Sequence, residues 1–522
     1  MWQENVDPTL TYTYDSEDRI GEGTYSKVYK AVRRSDQQVV ALKRSRESTN
    51  EGVIKHILNE MNIFRNLHHP NVMTLVECYS FEGDINFVMP YYQQSLYDKL
   101  DLCKKQGDTV PSDQIREWMR DILLALDYMH SNGFIHRDIC PKNMMVTDTN
   151  NIVICDFSLT RYVGALGSDV FLEPEVQKLW YRAPELLKEE QYDYRVDIWA
   201  AACTMLHMIN LSPVLTHDSE KELLDREKDL FDKPGNDGIQ ILSRRNLLPP
   251  TKKLLTDMMK FDYNKRPYAH QLLSYDYFGD RKKLPDNESM DSRNLRMLGE
   301  RQRPWTAYLD RDDLYLWLLE SRAKDANMDR LYTVVFLLNQ LPSDEWNCPS
   351  QNYKTDPYIE AANNFYRRIA DIDDPADDSQ NKVTVAAEWK ILRRINFNTQ
   401  IPTPSMFLRI YLRAVPQRNL KQSVTALCCV SLFGGLLRYH TIQVAASILW
   451  LALRLNRSNL NDEEFQRITG VHPKKIMDCI YDFCRTIEDN LPDKLWQHKK
   501  IIFTPEQREQ IREFLTHQTP TK

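Results

Sequence analysis

No stretch of the 522-residue chain is both long and apolar enough to span a bilayer. The longest apolar runs, around 424–437 and 441–453, are too short and too interrupted, and read as buried helices. The N-terminus, MWQENVDPTLTYTYD, lacks the basic and apolar stretches of a signal peptide. The ten cysteines include no CxxC pair and no metal-ligand spacing; Cys428 and Cys429 are neighbours inside an apolar run. Read as reduced thiols, they imply a reducing compartment, cytoplasmic or nuclear. A surplus of positive charge is missing as well. The 68 Lys and Arg against 74 Asp and Glu give a formal net charge of −6, which offers no case for binding nucleic acid or a membrane surface. Repeats and low-complexity tracts are lacking. What is present is an ordinary globular composition, 42% hydrophobic and 27% charged, on a chain too long for one core. Two to four domains are expected.

The early chain alternates short β-like runs, KVYKAVRR and QQVVALKR, and gives way to helical patterns from about residue 112. In IGEGTYSKVYKA (20–31), Gly21 and Gly23 between two strands would let the backbone approach a polyphosphate. Alone, the pair reads equally well as a hairpin turn. The neighbours change that. VVALK ends in Lys43, and LNEMNIFRNLHHPNV carries Glu60 on a helix with Ile57, Met61 and Phe64 near one face. A lone helical Glu is ordinarily solvated. Then follow HRDICPKN (136–143), ICDFSLTR (154–161), LWYRAPE (179–185), VDIWAAA (196–202) and NKRP (264–267). Such an ordered series leaves chance far behind.

Over roughly 15–280 the chain resembles the protein kinases, and IGEGTYSKVYKA, VVALK and LWYRAPEL look like the cyclin-dependent branch. HDSEKELLDREKDLFDKPG (217–235) is similar to that branch's insert. The resemblance implies a bilobal fold, with an N-lobe over about 15–91 and a C-lobe over about 92–280. It implies ATP and Mg2+ as cofactors and protein substrates. Asp138 would orient the substrate hydroxyl and accept its proton. Asn143 and Asp156 would supply the oxygen ligands that magnesium prefers. Lys43, held by Glu60, would meet the α- and β-phosphates under the loop formed by Ile20, Gly21, Glu22, Gly23, Thr24, Tyr25 and Ser26. Ile20, Val28, Ala41 and Met145 would sandwich adenine, with Met89 as gatekeeper and Pro90 to Tyr92 as hinge. Glu185 and Arg266 look like the pair that anchors the large lobe. Thr24 and Tyr25 match an inhibitory phosphorylation pair.

Four positions depart from the family pattern. Ser26 stands for the third glycine, and Ser158 for the glycine of DFG. A side chain at 158 disfavours left-handed backbone angles by ~1–2 kcal/mol, so the segment should flip less readily. Cys140 stands for the lysine that meets the γ-phosphate; Lys178, Lys142 or both are the candidates to restore its charge. The alternative is a solvated Lys178 and a slower enzyme. Glu173 lies where the branch carries its activating phosphothreonine, and two of the three arginines of that site are present, Arg137 and Arg161. A carboxylate brings one charge against a phosphate's nearly two. The expectation is activation-loop order without phosphorylation.

Residues 1–14 read as an N-terminal extension and the charged segment RKKLPDNESMDSRN, within 281–300, as a linker. The remainder, 301–515, reads as all-helical. VTVAAEWKILRRINF repeats apolar residues at Val385, Trp389, Leu392 and Ile395, and VAASILWLALRL is apolar almost all round. EWKILRRINFNTQIPTPSMFLRIYLRA (388–414) resembles the junction between the two helical repeats of a cyclin. The expected fold class is therefore α+β: a bilobal kinase followed by an all-α cyclin-like domain of two repeats. Arg368 and Glu388 occupy the positions of a cyclin's kinase-facing pair. Asp310, Asp312 and Asp313 replace apolar residues of the usual substrate-docking patch. A linker of about twenty residues makes the kinase–cyclin encounter intramolecular, which implies a monomer. Such single-chain fusions suggest a viral or otherwise unusual source. The rival readings are a pseudokinase scaffold that binds ATP or a partner without phosphoryl transfer, and cyclin pairing between molecules.

Overall fold

The computed structural model of the chain describes residues 2–3, 7–22, 26–46, 48–49, 52–53, 55–81, 84–163, 178–233, 237–279, 328–339, 359, 361–362, 387, 391, 403–415, 420–432, 436–458, 460–490 and 503–517. The chain divides into two compact units, Met1–Asn294 and Leu295–Lys522.

The first unit opens with a twisted sheet of β1 (Arg19–Glu22), β2 (Ser26–Arg33), β3 (Val39–Arg46), β4 (Glu77–Phe81) and β5 (Asp84–Pro90). Its order is β4-β5-β3-β2, with β1 on the outer edge of β2. Successive side chains on a strand face opposite ways, so register decides what each face carries. Lys43 pairs with Val28 and Phe87, and Ala41 with Met89; these residues share the face turned to the cleft. The other face takes Ala31, Val40, Leu42, Tyr79 and Val88 into one buried cluster.

Tyr12 completes that cluster, only 1% exposed and stacked on Tyr79 with centroids 6.4 Å apart. The N-terminal extension thus belongs to the sheet. Trp2–Gln3 pairs in parallel with β4 at one edge, and Tyr12–Thr13 pairs antiparallel with β2 at the other. Helix α1 (Lys55–Asn66) buries Ile57, Glu60, Met61 and Phe64, the i, i+3, i+4, i+7 stripe legible in the sequence.

The rest of the unit is mainly helical: α2 (Leu96–Gln106), α3 (Ser112–Ser131), α4 (Arg195–Asn210), α5 (Glu220–Phe231) and α6 (Pro249–Met258). Helix α2 starts in a capping box between Ser95 and Asp98 and stops at Gly107, whose φ of 72° costs a glycine little. Every residue of α4 is buried, which makes it the axis of this lobe.

In the second unit the described residues are mainly helical: α7 (Met328–Asn339), α8 (Pro404–Ala414), α9 (Lys421–Val430), α10 (Thr441–Leu455), α11 (Asp462–Thr469), α12 (Met477–Arg485) and α13 (Pro505–His517). The all-round apolar α10 is the central helix, packed against α8, α9 and α12. The architecture is α+β, a bilobal unit followed by an all-α unit. No described helix is long and apolar enough to cross a membrane.

Candidate active site

The loop 136–143 runs between two small ladders, Phe134–Ile135 with Arg161–Tyr162 and Met144–Val146 with Ile152–Ile154. Asp197 of α4 pins its start. This fully buried carboxylate accepts the backbone N–H of His136 and of Arg137, each at 2.9 Å, and lies 2.9 Å from His130 Nε2. Burial opposes its charge, but the hydrogen bond from His130 and the neighbouring imidazoles outweigh that and hold its pKa below the usual carboxylate range. Arg137 takes a left-handed φ of 64°, which turns the chain into Asp138. Asn143 Nδ2 closes the loop by donating to the Asp138 carbonyl at 2.8 Å and to its carboxylate.

Cys140 is buried, and burial pushes its thiol pKa up, so this position carries no charge of its own. A cation arrives from further along the chain. Lys178 Nζ lies 3.1 Å from Asp138 Oδ2, 3.1 Å from Cys140 Sγ and 3.5 Å from Asn143 Oδ1. Burial works against its charge, yet Asp138 holds its pKa above the ordinary lysine value. The turn that bears it, Leu179–Tyr181, is itself tied down. Tyr181 Oη meets His207 Nδ1 of α4 at 2.8 Å, and Trp180 Nε1 donates to the His217 carbonyl at 3.1 Å. Lys142, the other candidate, is exposed at the cleft mouth with Nζ 5.0 Å from the centroid of the Tyr97 ring.

Above the loop lies a cleft of about 830 Å³. Ile20, Gly21, Glu22, Ser26, Val28 and Ala41 line it from the sheet, Met89, Pro90, Tyr91 and Tyr92 at the back edge, and Met145 from below. Lys43 and Glu60 form a hydrogen-bonded ion pair, their side chains 14% and 4% exposed. Burial disfavours the Lys43 charge, but Glu60 and Asp156 more than offset it and raise its pKa.

Asp156 also lines the cleft. Burial opposes its charge, but Lys43 and a hydrogen bond from Ser158 outweigh that and hold its pKa below the usual carboxylate range, so it is ionised. Among the described residues no group of three or more His, Cys, Asp or Glu converges on one point. The ionised Asp156 carboxylate and the Asn143 amide, both on the wall of the cleft, are instead a sparse, hard-oxygen donor set. It fits Mg2+, which keeps waters and phosphate oxygens in its shell and takes one or two protein carboxylates.

Glu185 and Arg266 form a buried bidentate pair at 2.7 and 3.1 Å, with Arg266 also donating to the Arg195 carbonyl. Arg137 donates from Nε to the Leu159 carbonyl at 2.8 Å and from one Nη to Tyr192 Oη at 3.0 Å, while Arg161 is buried on the strand beside Ile135. Gly23, Thr24, Tyr25, Glu173, Arg368 and Glu388 lie outside the described residues, as do 281–300 and Asp310, Asp312 and Asp313. Sequence reasoning did not assign Phe64, Met73 or Cys155 to the site, although they line the cleft. Phe64 shares a helical face with Glu60 and carried a local signal; Met73 had none.

The protein kinase domain family model matches residues 14–278. The chain belongs to the protein kinase family. Residues 402–513 match the family model of the cyclin C-terminal domain. Cyclin-dependent kinase 1 of Encephalitozoon cuniculi is 31% identical over 290 residues, 52% of this chain and 97% of that protein. A probable serine/threonine-protein kinase of Dictyostelium discoideum is 30% identical over 285 residues, covering 50% of this chain and 55% of the relative. The chain is thus a protein serine/threonine kinase of the cyclin-dependent type, with a cyclin domain in its C-terminal region.

Proposed function

We propose that this kinase transfers the γ-phosphoryl group of Mg-ATP to serine or threonine hydroxyls of proteins, activated in cis by its own cyclin-like region and without a phosphate on its activation loop. The observation that carries the reading is the Lys178 ammonium 3.1 Å from Asp138 Oδ2, beside the thiol where the family's cation is missing. Phosphoryl transfer demands mostly positioning and charge neutralisation. Asp138 accepts the proton of the attacking hydroxyl on its carboxylate. Lys178 keeps that carboxylate oriented and supplies positive charge where the transferred group passes. Lys43, fixed by Glu60, holds the α- and β-phosphates. Val28 and Ala41 from the sheet and Met145 from below close on adenine, at the depth that Met89 sets. Asn143 and Asp156 would hold Mg2+, whose chemistry there is to neutralise charge on the phosphate oxygens.

Regulation follows from the same charges. Glu173 stands in for an activating phosphate toward Arg137 and Arg161. Kinase (15–280) and cyclin-like (301–515) domains on one chain, joined by a linker over 281–300, meet at an effective concentration on the order of millimolar. Arg368 and Glu388 are the cyclin-side contacts in this reading.

The test is a radiolabel assay on a degenerate peptide array with phosphatase-treated full-length chain. We expect incorporation by the wild type, none above background for Asp138→Asn, and specific activity that does not change with dilution. An inactive phosphatase-treated chain sinks phosphate independence. Activity that falls with dilution makes the pairing intermolecular, and equal signals from wild type and Asp138→Asn remove the catalytic reading.

A further inference from the structure

Asp156 is held in place by more than the packing of its neighbours. Its own backbone takes a left-handed φ of 63°, a conformation that aspartate tolerates better than most residues. Phe157 is 1% exposed and wedges its ring between Phe64 of α1, centroids 5.7 Å apart, and His136, 5.8 Å apart. Ser158 then turns back on the carboxylate. Its hydroxyl donates to Asp156 Oδ1 at 2.8 Å, and its backbone N–H approaches the same oxygen at 3.4 Å. Asp156 Oδ2 accepts no hydrogen bond among the described residues, and Asp156 lines the cleft.

Ser158 does not adopt a positive φ, so the serine side chain sits here without backbone strain. Its gain is a second donor that glycine, the residue the family resemblance leads one to expect, cannot supply. We propose that Ser158 is a positioning residue: its hydroxyl clamps Oδ1 of Asp156 and so presents Oδ2 to a divalent cation in the cleft. The inference rests on the reading of Asp156 as a metal ligand. Groups that orient a metal's carboxylate ligands act on affinity for the ion while touching neither ion nor substrate.

The measurement is the thermal shift of the full-length chain with ADP, first without divalent metal and then across a Mg2+ titration. Ser158→Ala and Ser158→Gly should leave the metal-free ADP shift unchanged and raise the half-saturating Mg2+ concentration on the order of tenfold. Ser158→Thr, which keeps the hydroxyl, should return it toward the wild-type value. An unchanged Mg2+ midpoint in Ser158→Ala overturns the positioning role. A parallel loss of the metal-free ADP shift overturns it too, by showing a general structural role. Asp156→Asn separates the two readings: if it leaves the Mg2+ dependence untouched, Asp156 is no metal ligand and the reading beneath the inference fails instead.

Discussion

Two lysine–carboxylate pairs flank the same cleft, and they are held in different ways. Lys43 and Glu60 meet between β3 and α1, with side chains 14% and 4% exposed. Lys178 and Asp138 meet across 40 residues of chain, 43% and 11% exposed. The first pair is fixed by register: pairing of Lys43 with Val28 and Phe87 turns its side chain to the cleft, where the stripe of α1 delivers Glu60. The second depends on a short turn that is anchored at one end by Tyr181 on His207. An embedded pair can be read from secondary structure. A pair assembled by a loop depends on what the loop is tied to.

The comparison can be broken at the exposed pair. Lys178→Ala should lower kcat roughly 10- to 100-fold, below the loss of a fully enclosed donor because Lys178 keeps contact with water. Lys178→Arg should recover part of it, and an unchanged kcat in steady-state assays would reduce Lys178 to a solvated side chain.

The anchor sharpens the same contrast through pH. Burial pushes the His207 pKa down from 6.5 to about 4. Between those values the unfolded chain binds a proton that the folded one refuses, so stability falls as pH drops through this window. His207→Gln should flatten the decline of melting temperature between pH 6.5 and pH 4. A slope equal to wild type would show that His207 does not set it. The smallest effect is expected at Lys142. Packed over the exposed Tyr97 ring at the mouth of the cleft, it should give less than about a twofold change in kcat on conversion to alanine, in the range of an exposed contact. A tenfold loss would move the compensating charge from Lys178 to Lys142.

Much of the site was legible before any fold was known. Asp138, Asn143 and Asp156 sit in short motifs where chemistry and spacing coincide, and Glu60 lies on an amphipathic stripe. Two departures from the family pattern, Cys140 and Ser158, left more open: the sequence offered two lysines to restore the charge lost at the first, and for the second only a stiffer backbone. Their meaning came from contacts: a thiol beside the Lys178 ammonium, and a hydroxyl on the Asp156 carboxylate. The N-terminal segment had no periodicity to betray it. Its place follows from Tyr12, whose ring finishes the buried face of the sheet.

The amino-acid sequence by itself determined the family, the two-part organisation and which carboxylates are proposed to take part in the chemistry, because each is written in residues near one another along the chain. Only the tertiary structure decided which lysine lies beside Asp138, what holds Asp156, and that the first strand pairings reach both edges of the sheet. The reason is physical. Hydrogen bonds and hydrogen-bonded ion pairs form only when the partners come within about 3 Å in space, and nothing in local sequence reports which distant segment is brought to that distance.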